Sequence, residues 1–259
     1  MTEIADVLGR VHSFPRSPER VVSLVPSLTE TLFDLGAGGA VVAATDYCLF
    51  PARDLEGVQR VGGTKNPRID DIRALAPDLV YVNVEENLAR HADQIEEFAP
   101  VFATEPKTVA GVLALLADLG AIHGRENAAA GWRERIAREI VGLGGVAKFS
   151  FACAIWKDPW MWCGGDTYVS DLVATAGGSN VFAGLTRYPN EELEAVLARE
   201  PDVVFLPDEP YPFTDLDSLA VRARFLGRVV GPFPGHLVTW HGTRTAKGLA
   251  FLRDALRAP

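Results

Sequence analysis

Residues 108–143, TVAGVLALLADLGAIHGRENAAAGWRERIAREIVGL, favour helix almost throughout and lie in the middle of a chain whose two flanks are alike. Val109, Leu113, Leu116 and Gly120 recur at three- and four-residue spacing, which gives the leading helix a single apolar face, and Gly124 ends it. A second helix, about 126 to 143, carries Trp132, Ile136 and Ile140 on one stripe. Arg133, Glu134, Arg138 and Glu139 lie mostly off it, and Gly142, Gly144 and Gly145 stop it. At 1.5 Å per residue its ~18 residues span roughly 27 Å, about the width of a small domain. That is long enough to cross between lobes, so the chain reads as lobes at 1–125 and 146–259 with a bridging helix at 126–145.

On either side of that helix one pattern occurs twice. Residues 69–80, IDDIRALAPDLV, line up with 193–204, LEAVLAREPDVV, each a helix broken by Pro-Asp and followed by an apolar strand. Asp70 and Glu194 hold matching places near the helix starts. The helix dipole alone favours an acid there, but the symmetric placement suggests two acids that engage two basic sites on a two-fold symmetric partner. Strands are expected at 21–24, 41–44, 79–82, 101–103, 150–155 and 203–206, near Val229 and at 237–239, with helices between them. Ser27 and Glu30 have capping-box spacing for the first helix. This alternation predicts an α/β protein with mainly parallel sheets and right-handed crossovers.

A chain of 259 residues, 48% hydrophobic, can bury one large core or two ordinary ones. Its net charge of −9, with no Lys or Arg run, argues against a nucleic-acid backbone or an anionic membrane as partner. The first twenty residues lack a basic region followed by an apolar core, so no secretory signal is expected. The most apolar stretch, 109–122, contains Asp118 and two glycines and is shorter than the ~20 residues of a membrane span. Cys48, Cys153 and Cys163 have no CxxC spacing and read as reduced, partly buried thiols, a Cys153–Cys163 bridge being the alternative.

In open parallel sheets, ligands bind beyond the carboxyl ends of the strands. The expected loops there carry Tyr47, Glu85, Glu86, Asn87, Trp156, Trp160, Trp162, Tyr188, Tyr211, Phe213, Trp240, His241 and Arg244, with Tyr168 opening the helix after the tryptophan loop. The set is rich in aromatics and poor in nucleophiles. Large flat side chains outside a core suit a bulky ligand with apolar faces, fixed by a few polar anchors. Enzyme motifs are missing: VGGTK at 61–65 is not a phosphate loop, Ser27 sits in no GxSxG elbow, and no GxGxxG follows the first strand. His12, His91, His123, His236 and His241 show no HExxH spacing, so no metal held by the protein alone and no resident cofactor are expected. His241 alone falls in a ligand-side loop, where it could ligate the metal of a bound chelate.

The stretches RVVSLVPSLTETLFDLG (20–36), TDYCLFP (45–51), RVGGTKNPRIDDIRALAPDLV (60–80) and LEAVLAREPDVVFL (193–206) resemble the iron-siderophore and cobalamin substrate-binding proteins of ABC importers, the helical-backbone metal receptors. The resemblance runs from about Arg20 to Leu256. It implies two α/β lobes bridged by a single long helix, a ligand cleft between them and modest closure on binding. It also implies that Asp70 and Glu194 dock the lobes onto arginines of a permease dimer, Asp70 being shorter than the Glu of the cobalamin-binding member. By the same likeness Tyr47 and Tyr188 are ligand-contact positions. IWKDPWMW (155–162), DTY (166–168), DEPYPF (208–213) and TWHG (239–242) are similar to blocks of a cobalamin-binding subgroup.

The sequence thus predicts a monomeric, non-enzymatic protein that binds a metal chelate and delivers it to an ABC permease. A corrinoid such as cobalamin is favoured, because anionic siderophores call for clustered cations and only Lys157, Arg187 and Arg244 offer themselves. Such proteins work in the periplasm or at the cell surface, which here requires that a signal was trimmed; a native start at Met1 implies the cytoplasm. The alternatives are a ferric-siderophore or haem binder and an intracellular tetrapyrrole or metal-cofactor handling protein. The latter would use His241 with Glu85 or Glu86 as its titratable pair.

Overall fold

Short runs of apolar residues, buried on both faces, build the first half of the chain. The computed structural model describes residues 2–257. A hairpin of β1 (Thr2–Ala5) and β2 (Val11–Phe14) precedes β3 (Val21–Ser23), α1 (Pro26–Asp34), β4 (Val41–Ala44), β5 (Gln59–Arg60), α2 (Ile69–Ala74), β6 (Leu79–Asn83), α3 (Ala89–Glu96) and β7 (Val101–Thr104). The sheet runs β5-β4-β3-β6-β7, parallel throughout. Alternation along its strands divides the core. Val21, Leu79 and Tyr81 pack with Leu28 and Leu32 of α1, while Val22, Val80 and Val82 pack with Ile72 of α2 and Ile95 of α3. Burial on both faces is what a parallel sheet covered by crossover helices requires.

Helices α4 (Val109–His123) and α5 (Glu126–Gly142) follow, and Gly124 between them has φ +61. A Cβ at Gly120 would stand 2.6 Å from the Cβ of Ala129, so glycine there lets α4 and α5 approach. The chain divides into two compact units: residues 2–106 with 113–134, and 107–112 with 135–257. Each of the two helices contributes residues to both.

The second unit contains β8 (Phe149–Trp156), β9 (Met161–Trp162), α6 (Tyr168–Thr175), β10 (Gly178–Asn180), α7 (Leu193–Leu197), β11 (Val203–Pro207), α8 (Asp215–Arg222), β12 (Arg228–Phe233), α9 (His236–Thr239) and α10 (Thr245–Arg257). Its sheet runs β10-β8-β11-β12, parallel, with the short β9 antiparallel on β8.

The repeated stretch folds alike in both units. Helices α2 and α7 each end near a residue in the left-handed region, Ala76 (φ 45) and Glu200 (φ 51), just before the Pro-Asp pair. Asp78 accepts the amides of Glu19 and Arg20 at 2.8 and 2.9 Å, at the entry to β3, which pairs with β6. Asp202 accepts the amide of Ser150 at 2.6 Å, at the start of β8, which pairs with β11. The aspartate of each repeat therefore ties down the chain entering the neighbouring strand, a role that composition does not reveal.

Two local expectations are corrected. The first helix starts at Pro26, with Val25 at its cap and no side-chain capping bond. The proline ring presets the helical φ, which moves Ser27 inside the first turn. Residues 237–239 are helical, because Thr239 returns its amide to the carbonyl of Gly235 at 2.9 Å and Asp208 holds the Gly235 amide at 2.7 Å. These bonds outweigh the strand preference of Leu-Val-Thr.

Candidate functional site

Both sheets are parallel, so the loops after their strands gather on one edge of each sheet, and the candidate residues are found there. In the first unit Tyr47 follows β4 and is 61% exposed. Below it Cys48 is buried, its Sγ 3.1 Å from Thr29 Oγ1 and 3.2 Å from Thr45 Oγ1, and Arg60 holds the carbonyls of Thr45 and Cys48 at 2.8 Å each. Glu85 and Glu86 follow β6 in a turn that Asn83 organises by accepting both their amides. Asn87 is buried and structural: its Nδ2 donates to the carbonyls of Leu24 and Thr64, joining the ends of β3 and β6 to the 62–66 loop.

In the second unit the equivalent loops are aromatic. Trp156, at the end of β8, meets Tyr211 edge-on at 5.4 Å, and Tyr211 lies 4.7 Å from Phe213. Phe213 stacks with Trp160 at 5.7 Å, and Trp160 stacks with Trp162 at 5.4 Å. The series grades from an exposed Trp156 through half-buried Tyr211 and Trp160 to a buried Phe213 and a fully buried Trp162. Trp162 is thus a core residue of β9 and not a loop residue. Its indole donates to the Glu191 carbonyl at 2.8 Å, which satisfies its one polar atom inside the core.

Lys157 lies within this series, and its amine is 2.5 Å from Asp217 Oδ1. The other oxygen of Asp217 closes a capping box with Thr214 at the start of α8. Burial would raise the Asp217 pKa, but the bonds from Lys157 and Thr214 outweigh it and the carboxyl is lowered; the Asp217 bond raises Lys157. Lys157 therefore serves as a strut between the tryptophan loop and α8. Sequence reasoning offered it as an anion receptor and missed Asp217, although Thr214-x-x-Asp217 has the capping-box spacing that could have marked it.

A second group surrounds α9. Trp240 lies beside His236 at 5.8 Å and under the Arg244 guanidinium at 5.3 Å, and Arg244 Nη1 is 2.9 Å from His236 Nδ1. Tyr168 and His241 meet edge-on at 6.2 Å, and the Tyr168 hydroxyl is 2.8 Å from Thr245 Oγ1. Tyr168, His241 and Arg244 are all buried. Burial pushes the His241 pKa down to about 4, leaving a neutral imidazole at pH 7. Glu209, unremarked in the sequence, accepts from Thr239 Oγ1 at 3.1 Å, and burial raises its pKa.

Tyr188 is half-buried beside Pro189, whose carbonyl takes the Trp162 amide at 3.0 Å. Asp70 and Glu194 are exposed on α2 and α7, Glu194 paired with Arg224 at 2.7 Å. His241 belongs to the second unit, Glu85 and Glu86 to the first. An open cavity of about 450 Å³ lies at the start of β7, on the opposite strand ends from Tyr47 and Glu85. Its Arg10 is already bonded to Asp6 and Glu96, so it reads as a junction holding the β1–β2 hairpin. Among the described residues no group of three or more His, Cys, Asp or Glu could hold a metal ion, and no helix is long and apolar enough to cross a membrane.

Comparison with known proteins agrees with this architecture. A family model described as "Periplasmic binding protein" matches residues 21–220. A vitamin B12-binding protein of Vibrio campbellii is 28% identical over 202 residues, covering 74% of this chain and 72% of its own. Among solved structures, the periplasmic vitamin B12 binding protein BtuF of Vibrio cholerae superposes with a TM-score of 0.79 at 21% identity, covering 95% of this chain and 98% of its own. The periplasmic haem-binding protein RhuT of Roseiflexus sp. RS-1, in apo form, gives 0.74 at 20% identity, covering 93% and 98%. At these identities the structural likeness fixes the fold, two α/β units on mainly parallel sheets, and leaves the ligand to be argued.

Proposed function

This chain belongs to the periplasmic binding protein family, and we propose that it is the substrate-binding component of an ABC importer, with cobalamin or a related corrinoid as its ligand. The observation that carries the reading is the graded series Trp156–Tyr211–Phe213–Trp160 at the strand ends of the second unit. A corrinoid presents broad apolar faces, which the exposed Trp156 and the half-buried Tyr211 and Trp160 can cover, with Phe213 buried behind them as support and not as a contact. The amine of Lys157 is engaged by Asp217, which disfavours a highly anionic siderophore at that loop. Tyr47, Glu85, Glu86, Tyr188, Trp240 and Arg244 are the further contacts we assign, with Tyr168 and His241 supporting them from within. The names of the vitamin B12-binding relatives point the same way.

In this reading the protein performs no chemistry on its ligand, acts as a monomer outside the cytoplasmic membrane, and presents Asp70 and Glu194 to arginines of a two-fold permease. The lobes would be 1–125 and 146–259, with 126–145 as the bridge. A second reading, a haem binder, draws on the haem-binding proteins among the solved structures of the same fold, with His241 as the residue that would have to reach the chelate metal.

Titration of the purified protein with cyanocobalamin, haem and a ferric siderophore, followed by tryptophan quenching and calorimetry, separates the readings. Saturable one-site cobalamin binding at micromolar affinity or tighter is the expected result. Haem binding alone, with a Soret shift lost in His241→Ala, would replace the corrinoid by haem. Trp156→Ala and Trp240→Ala should each weaken binding by ~1–3 kcal/mol, and unchanged affinity in both would refute the assigned contacts.

A further inference from the structure

Cys153 and Cys163 stand opposite one another where β9 turns back on β8. Ala154 is paired with Trp162, and one step further out the same antiparallel register sets Cys153 against Cys163. The Cys163 amide donates to the Cys153 carbonyl at 2.9 Å, and the Cys153 thiol donates to the Ala154 carbonyl at 3.7 Å. Directly opposed residues of an antiparallel pair have Cα atoms ~4.5–5.5 Å apart, inside the ~4.4–6.8 Å that a disulfide spans. The third cysteine, Cys48, belongs to the other unit and bonds Thr29 and Thr45.

We propose that Cys153 and Cys163 are a latent disulfide site, which couples when the chain folds in an oxidising medium and staples the base of the hairpin bearing Trp156, Lys157 and Trp160. The cysteines are reduced in this structure. Coupling proceeds by exchange with a small-molecule disulfide such as oxidised glutathione. One cysteine thiolate attacks it, forming a mixed disulfide and releasing one glutathione thiolate; the second cysteine thiolate then displaces the other glutathione. The two protein sulfurs are oxidised, the two glutathione sulfurs are reduced, and the two cysteine protons end on the released glutathiones. Both side chains have 0% exposure in the folded protein. The neighbouring Cys163 side chain and burial raise the Cys153 pKa, so that thiol stays protonated. Exchange therefore belongs to the interval before the hairpin is sealed, and the redox state set then is preserved by packing. The inference does not depend on which ligand the protein binds.

The test is to refold the wild-type chain from denaturant in a reduced/oxidised glutathione buffer and, in parallel, in excess reductant, then to alkylate under denaturing conditions and weigh the products. After oxidative refolding the protein should lack ~2 Da before alkylation, alkylate at Cys48 alone, and yield one cross-linked peptide pair containing Cys153 and Cys163. After reductive refolding all three cysteines should alkylate. The Cys48→Ser variant should keep the bridge, and its thermal midpoint should be higher in the oxidised than in the reduced form. Three alkylated cysteines after oxidative refolding, a bridge that includes Cys48, or a stable glutathione adduct in place of the bridge would each overturn the proposal.

Discussion

At the strand ends of the first unit, the chain is held by polar side chains: Asn83 organises the Glu85–Glu86 turn, Asn87 joins three loops, and Tyr47 stands exposed above a buried Cys48. At the corresponding ends of the second unit, rings stack on rings from Trp156 down to Trp162, and the polar fixture within that series is the Lys157–Asp217 strut. The scaffolds beneath are alike, down to the left-handed residue before each Pro-Asp and the aspartate that grips the neighbouring strand. Equal scaffolds with unequal loops show that the repeated helix-Pro-Asp-strand unit specifies the framework while the loops it carries are free to differ.

The largest test of that contrast is the pair Trp162→Ala and Tyr47→Ala. Trp162 is fully buried and its loss leaves a cavity, so urea unfolding should show a cost of ~3–5 kcal/mol. Tyr47 is 61% exposed, and its removal should change stability by less than ~0.5 kcal/mol while still affecting ligand affinity. Equal costs would mean that the aromatic series is not the anchor of its unit.

Each unit buries one histidine: His123 bonds the Tyr81 hydroxyl at 2.8 Å in the first, and His241 faces Tyr168 in the second. Burial pushes both down to about 4 from an ordinary 6.5. The unfolded chain thus binds the proton first, and stability is lost as pH falls through 6.5 towards 4, by at most ~3 kcal/mol per site. Replacing either histidine by Gln should flatten that region of the pH–stability curve. If only one variant does so, only that unit carries an acid-sensitive core.

How much of this was legible beforehand follows from the same contrast. The repeat could be read because Pro-Asp after a helix leaves a signature in the chain, and Gly124 announced the break between α4 and α5. The aromatic blocks were visible too, but burial was not: Trp160 and Trp162 are two residues apart, and only the antiparallel return of β9 sends one into the core. Leu237-Val238-Thr239 misled because strand preference is weak beside the bonds Asp208 and Gly235 impose. Nothing in periodicity forecast α8, whose short amphipathic turn matters through Asp217.

The strut itself gives a middle-sized prediction. Asp217→Asn leaves Lys157 without its counter-charge in a partly buried place and should cost about 1–2 kcal/mol, between exposed and fully buried pairs. The Asp217 pKa is lowered, so its contribution is present above the ordinary 3.8 and lost as pH falls below it. Lys157 is raised, so its contribution is complete below the ordinary 10.5 and lost above. The wild-type advantage over the variant should be flat between those limits, with chemical denaturation at several pH values as the measurement. A double variant, Lys157→Met with Asp217→Asn, should recover some of the loss, because no uncompensated charge remains. Weaker ligand binding in the single variant than in the double would identify loop position, not charge, as what recognition needs.

The smallest effect on stability is expected where the units are most alike. Asp70 and Glu194 sit in the first turns of matching helices, and the Glu194–Arg224 pair is more than half exposed on both sides, where solvent screens it. Asp70→Ala and Glu194→Ala should therefore leave unfolding within ~0.5 kcal/mol of wild type and ligand affinity untouched. Uptake through a reconstituted permease is where they should differ from wild type. If each acid meets a basic site on one half of a two-fold partner, either single change impairs transport and the double change more than adds to it, since docking at one unit raises the effective concentration at the other. Full transport in the double variant would leave these acids with no role beyond completing their helices.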